Sequence, residues 1–159
     1  MKPVLLATDG SPAAEPAAAK AIELAKLLDT ELVVMSVWDI PYAMLGYSVI
    51  LLRNEFAKDE EDEARKVVTE VAGRARTARV PVKTIVVRGF PVEEICLAAE
   101  KLDPQMLVVG SHGWGPVKRL VSGSVSTGVL HHAKVPVLVV RSPAGDAKTE
   151  DERYVEAAV

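Results

Sequence analysis

Cysteine is almost missing. Cys96 is the only one in 159 residues, which excludes an intramolecular disulfide and a cysteine-rich zinc site. It stands beside Ile95 and Leu97 in a stretch of helical period, where a thiol is packed rather than reactive. Aromatic residues are also scarce, at 4% against 49% hydrophobic overall, so the core has to be assembled from Val, Leu, Ile and Ala. That composition suits a buried parallel sheet covered by alanine-rich helices. No apolar run approaches the ~18 residues of a membrane span. The apolar start is interrupted at Asp9, too early for a signal peptide, so the cytoplasm is the expected location. Nor is there a basic field. The net charge of −3 resides in residues 144–159, where Asp146, Glu150, Asp151, Glu152 and Glu156 outnumber Lys148 and Arg153 by three. The body of the chain is neutral, which argues against nucleic acid or anionic lipid as a partner.

What is present is an alternation of apolar runs and amphipathic stretches. Pro3 to Thr8, Glu31 to Trp38, Pro81 to Arg88, Met106 to Val109 and Val135 to Arg141 are short and almost continuously apolar, the pattern of strands buried on both faces. Between them lie stretches of helical period. Ser11-Pro12 predicts an N-cap followed by proline at the first helical position, with Ala18, Ala21, Ile22, Ala25 and Leu28 on the inner face. Arg53 to Arg79 predicts a long charged helix, its inner face running through Phe56, Ala64, Val67, Val68, Val71 and Ala75. On its surface Glu61 with Arg65 and Asp62 with Lys66 stand four apart, in the favourable acid-first order. A third helix begins after Gly89-Phe90-Pro91 and stops at Asp103-Pro104. Such alternation predicts an α/β fold, an open five-stranded parallel sheet with helices on both faces. Pro136 cannot donate to a ladder, which puts the last strand at a sheet edge. Residues 1–143 form one domain, and 144–159 a mobile acidic tail.

The chemistry concentrates in Met106 to Arg141. After the run ending at Val109, glycines and a hydroxyl fall at Gly110-x2-Gly113-x9-Gly123-Ser124. Glycines let backbone amides approach an anion without Cβ atoms in the way. A helix opening near Gly123 adds orphan N–H groups and its positive dipole end, beside the Ser124 and Ser126 hydroxyls. The loop lacks the Gly-Lys-Ser/Thr of a Walker A motif and the Gly-x-Gly-x-x-Gly spacing of a dinucleotide site. From residues alone it is a phosphate cradle or a tight connection.

This stretch closely resembles the ATP-binding motif of the universal stress protein family, including the flanking Val-Gly-Ser-His-Gly and Pro-Val-Leu-Val-Val. The opening Val4-Leu5-Leu6-Ala7-Thr8-Asp9-Gly10-Ser11 is similar to that family's first strand and acidic turn, and the resemblance covers Lys2 to Arg141. It implies a Rossmann-like, adenine nucleotide α-hydrolase-like sheet of order 3-2-1-4-5, with ATP and Mg2+ as ligands. It also implies a homodimer joined through Val135 to Arg141, and a regulatory or stress-tolerance role exerted through an unidentified protein partner. Ligands of such sheets bind beyond the carboxyl ends of the strands where the order reverses. The implied site comprises Thr8 and Asp9, the latter facing a ribose hydroxyl or a magnesium-bound water. Val37 walls the adenine. Val109, Gly110, His112 and Gly113 run along the ribose and first phosphates, and Gly123, Ser124, Val125 and Ser126 hold the outer ones.

Other features read as scaffold or rim. Lys118 and Arg119 could neutralise phosphate charge or simply be solvated, and Trp114 adds a bulky ring to the loop. Asp39 to Val49 is unusually apolar for a connection, as a lid, a subunit contact or a loop folded back on its own core would be. His131-His132 are neighbours rather than four apart, so they do not form a metal pair. No Gly-x-Ser-x-Gly elbow or zinc signature is present, and no general base stands near the phosphate loop. No catalytic residue is assigned, and fast hydrolysis is not expected. Alternatives on the same residues are a slow ATPase or nucleotidyl-transfer enzyme, a binder of another adenine nucleotide such as cyclic AMP, and a nucleotide-free dimeric scaffold.

Overall fold

A computed structural model describes residues 1–39, 53–111 and 124–142. In chain order they form β1 (Val4–Ala7), α1 (Glu15–Leu27), β2 (Leu32–Trp38), α2 (Arg53–Thr77), β3 (Val82–Arg88), α3 (Pro91–Leu102), β4 (Met106–Gly110), α4 (Ser124–His132) and β5 (Val137–Val140). The five strands make one parallel sheet of order β3-β2-β1-β4-β5. The expected architecture and strand order are therefore both present, with β5 at an edge and the order reversing between β1 and β4.

Alternation along each strand divides the core in two. Val4, Leu6, Val34 and Val108 pack against Ala17, Ala18, Ala21, Ile22 and Ala25 of α1 and Val68, Val71 and Ala75 of α2. Leu5, Ala7, Val33, Met35, Leu107 and Val109 face the other way, onto Ile95 and Ala99 of α3 and Val129 of α4. Small residues on the helices let them lie close to the Val-rich sheet, which explains how a core so poor in aromatics closes.

Three local expectations need correction. Ser11 does not cap α1. Its hydroxyl accepts the N–H of Ala14 at 3.2 Å within a turn, and α1 starts three residues later than expected, at Glu15, with Ala14 at the N-cap. The proline in its first turn is consequently Pro16 rather than Pro12. Lys66 pairs with Glu63 at 3.0 Å rather than with Asp62, while the Arg65–Glu61 pair forms as expected. These pairs are exposed and contribute little to stability. Lastly, β1 and β5 are shorter than the apolar runs that carry them.

Helices end without glycine. Asp29, Arg79 and Asp103 follow α1, α2 and α3 in the left-handed region, at φ 48°, 63° and 44°. After α2, the N–H of Val80 reaches the carbonyl of Ala75 and that of Arg79 the carbonyl of Arg76, both at 2.9 Å. That is a Schellman ending, and Thr30 and Asp29 repeat it after α1. A side chain at such a position carries strain that glycine does not. Arg79→Gly is expected to raise stability by roughly 0.5–1 kcal/mol, read as a higher urea midpoint with an unchanged slope.

Candidate functional site

Register brings the two best motifs to the same level. Ala7 is paired with Met35 on one side and Val109 on the other, so Thr8 and Asp9 continue past the sheet beside Gly110 and Ser111. From there β1 leads to α1 on one face of the sheet and β4 to α4 on the other. The two helices therefore lie on opposite faces, and in such sheets the crevice for a ligand is beyond the carboxyl ends of the strands at this reversal.

The turn after β1 is held from within. Thr8, buried, accepts the N–H of Gly10 on its hydroxyl at 3.2 Å, and Oδ1 of Asp9 accepts the N–H of Ser11 at 3.0 Å. Gly10 adopts φ 71°, a conformation that glycine enters without strain. The Asp9 carboxylate is exposed but oriented, at the mouth of the crevice. Because side chains take these two amides, the turn offers an acid rather than a nest of donors.

The far side of the crevice is built differently. Gly110 ends β4 opposite Val140, and Ser111 continues the ladder by donating its N–H to the Val140 carbonyl at 2.9 Å. The hydroxyl of Ser126, buried in the first turn of α4, lies 3.4 Å from the Ser111 carbonyl. That contact holds the amino end of α4 against the end of β4. Ser124 and Val125 are exposed there, among the first-turn amides that a helix leaves unpaired. Ser126 thus points inward, as a pin between helix and strand. Val37 and Val109 both pack on the α3/α4 side of the sheet, so Val37 stands as an apolar wall near the carboxyl end of β2. His112, Gly113 and Gly123 lie outside the described residues, as do the Asp39 to Val49 segment beyond Asp39, Trp114, Lys118, Arg119 and the acidic tail.

Thr8 and Ser126 were named from the sequence, but the belt of buried hydroxyls to which they belong was not. Of the seven buried polar residues among those described, Thr8, Ser11, Ser36, Ser111, Ser126 and Ser142 sit toward the carboxyl ends of the strands, and only Thr30 lies elsewhere. A signal was available, since a Ser or Thr falls at or just beyond the end of three apolar runs. At the same level Arg88 stacks over Trp38, 5.5 Å from the ring centroid, where β3 and β2 finish in register.

Among the described residues no group of three or more His, Cys, Asp or Glu converges as a metal cage would. Cys96 is half-buried in α3, and burial, with Glu100 nearby, raises its pKa above the ordinary thiol value. It remains a protonated thiol at neutral pH. His131 and His132 are exposed, and Nδ1 of His132 lies 2.8 Å from the Gly128 carbonyl one turn back.

The universal stress protein profile matches residues 1–141. The chain belongs to the universal stress protein family. A universal stress protein of Methanocaldococcus jannaschii is 35% identical over 144 residues, covering 89% of this chain and 83% of the relative. One from Mycobacterium tuberculosis is 35% identical over 141 residues, 87% of this chain, but the match spans only 45% of that relative's length. Among solved structures, the universal stress protein UspA from Lactobacillus plantarum superimposes with a TM-score of 0.79 at 24% identity, over 88% of this chain and 97% of its own. Three more distant universal stress proteins, at TM-scores of 0.62 to 0.66 and 15 to 22% identity, share the fold over at least 88% of this chain and 96% of their own. One was solved with cAMP, one from Archaeoglobus fulgidus with dAMP, and one from Arabidopsis thaliana with AMP. No helix among the described residues is long and apolar enough to cross a membrane.

Proposed function

We propose that this universal stress protein binds ATP with magnesium in the crevice between β1 and β4, and acts as a nucleotide-dependent regulator or stress-tolerance factor. The observation that carries the reading is the Ser126–Ser111 contact, which sets the amino end of α4 beside the end of β4. This juxtaposition joins the described ends of the Gly110-x2-Gly113-x9-Gly123-Ser124 motif, and a polyphosphate is the ligand that orphan amides and a helix dipole favour there. Asp9, across the crevice, accepts a ribose hydroxyl or a magnesium-bound water. Thr8 keeps its turn in shape and Val37 walls the base. With no cage of protein carboxylates among the described residues, magnesium would be held chiefly by the phosphates and reach Asp9 through water, as suits an ion that dehydrates reluctantly. It would neutralise phosphate charge.

Relatives solved with AMP, cAMP and dAMP support an adenine nucleotide as the ligand class. The cAMP complex gives specific support to a second reading, in which cyclic AMP competes for the same crevice. The homodimer is proposed through Val135 to Arg141. Its support is the position of β5 at the sheet edge with half-buried valines and leucine, since exposed apolar edges invite pairing. A cytoplasmic location and a protein partner complete the proposal.

The test is calorimetric titration of MgATP into nucleotide-stripped protein beside a Gly113→Val, Gly123→Val double variant. Wild type is expected to bind, and the variant to lose at least about tenfold in affinity, the equivalent of one charge-assisted hydrogen bond. Equal binding by both would remove the cradle; no binding by folded wild type would leave a scaffold.

A further inference from the structure

We infer that Val67 of α2 is a positioning residue for the Asp9 carboxylate, and so a determinant of whether the site distinguishes nucleotides by their ribose hydroxyls. The inference rests on the adenine-nucleotide reading and on the ribose role proposed for Asp9. The turn that carries Asp9 has an internal frame, Gly10 bonded to Thr8 and Ser11 to Asp9. Its outer support comes from another element. A Cβ placed on Gly10 would fall inside van der Waals contact of Val67 Cγ2, 3.1 Å from Cγ1 and 3.4 Å from Cβ of the same residue. The valine thus abuts the backbone at Gly10, immediately after Asp9.

Val67 is half-buried, beside the buried Val68 and Val71 that anchor α2 to the sheet. Its branched end is stiff at χ1, so it acts as a fixed stop. Removing the two methyl groups gives a left-handed turn room to relax, and with it the carboxylate one residue away. Asp9 would still be present and charged, yet no longer held where a ribose hydroxyl meets it.

The experiment measures the affinity of nucleotide-stripped protein for ATP and for 2′,3′-dideoxy-ATP, which lacks both ribose hydroxyls. Wild type, Val67→Ala, Val67→Thr, Asp9→Ala and Val80→Ala are compared. Val67→Thr keeps both γ positions and the contact. Val80→Ala makes the same truncation at a buried site beyond the far end of α2. Wild type is expected to prefer ATP by about tenfold, the scale of one hydrogen bond to a carboxylate. Val67→Ala is expected to lose most of that preference, approaching Asp9→Ala, while Val67→Thr and Val80→Ala retain it. Val67→Ala discriminating like wild type, with Asp9→Ala failing to, would overturn the positioning role alone. ATP bound without any preference in wild type would overturn it together with the ribose role of Asp9. A wild type that binds neither nucleotide would overturn the nucleotide reading itself.

Discussion

Replacing Leu107 by alanine is expected to cost about 3–5 kcal/mol, the range found for leucine truncations in tightly packed cores. Leu107 has no exposed surface and lies in the middle of β4, paired with Leu5 on one side and Val137 on the other. Its side chain points into the cluster between the sheet and the α3/α4 layer, among Leu5, Val109, Ile95 and Val129. The backbone ladder on both sides prevents collapse, so the cavity persists. A domain of this size holds a total of ~5–15 kcal/mol, and each kcal/mol moves its melting point by ~2–4 °C. A drop of about 10 °C follows. Urea unfolding of Leu107→Ala beside Leu97→Ala checks it. Leu97 is 47% exposed on α3, and its truncation should stay within about 0.5 kcal/mol. Equal costs would contradict the layering.

Gly10→Val is expected to cost about 2–5 kcal/mol, with one part from backbone strain and one from overpacking. A β-branched residue at φ 71° meets the left-handed penalty of roughly 1–2 kcal/mol. Its Cβ also intrudes on Val67, adding about 1–3 kcal/mol of overpacking. The natural control is Gly73 in α2, where a Cβ would meet nothing within 4 Å. Gly73→Ala should therefore stabilise by about 0.5–1 kcal/mol through helix propensity. Opposite signs at two glycines, in one urea series, separate a glycine the backbone requires from one it merely tolerates. Gly10→Val should also weaken MgATP binding, because Asp9 precedes it.

The sheet was legible because its strands are short Val- and Leu-rich runs with helical stretches between, a pattern that only a parallel sheet covered on both faces accommodates. Strand order was not contained in that pattern; it came from the resemblance carried by residues 106–141 and 4–11. Boundaries were less visible. Apolar residues such as Val135 precede the first ladder pair of β5, and Ser11-Pro12 satisfies the signature of a helix start while forming a turn of its own. Helix ends at Asp29, Arg79 and Asp103 gave no glycine signal, since backbone hydrogen bonds close them on exposed non-glycine residues in the left-handed region.

In the site, Asp9, Gly110 and Ser124 were readable as chemistry because acids, glycines and hydroxyls after strands have a physical use there. The inward turn of Ser126 depends on the phase of α4, which one short helix with an uncertain start does not reveal. Val67 was legible only as one more apolar residue on a helix. Its contact with Gly10 spans 57 positions of sequence, and periodicity carries no information about such a meeting.

The most direct test of the central claim, that the crevice at the β1/β4 reversal holds the nucleotide, is an amide-resolved NMR titration of nucleotide-stripped protein with MgATP. The predicted shifts cluster at Thr8 to Ser11, Val37 to Asp39, Val109 to Ser111 and Ser124 to Ser126, while Lys2, Thr30, Val80 and Gln105 at the opposite end of the sheet stay still. Shifts gathered at that opposite end, or none at millimolar MgATP, would contradict it.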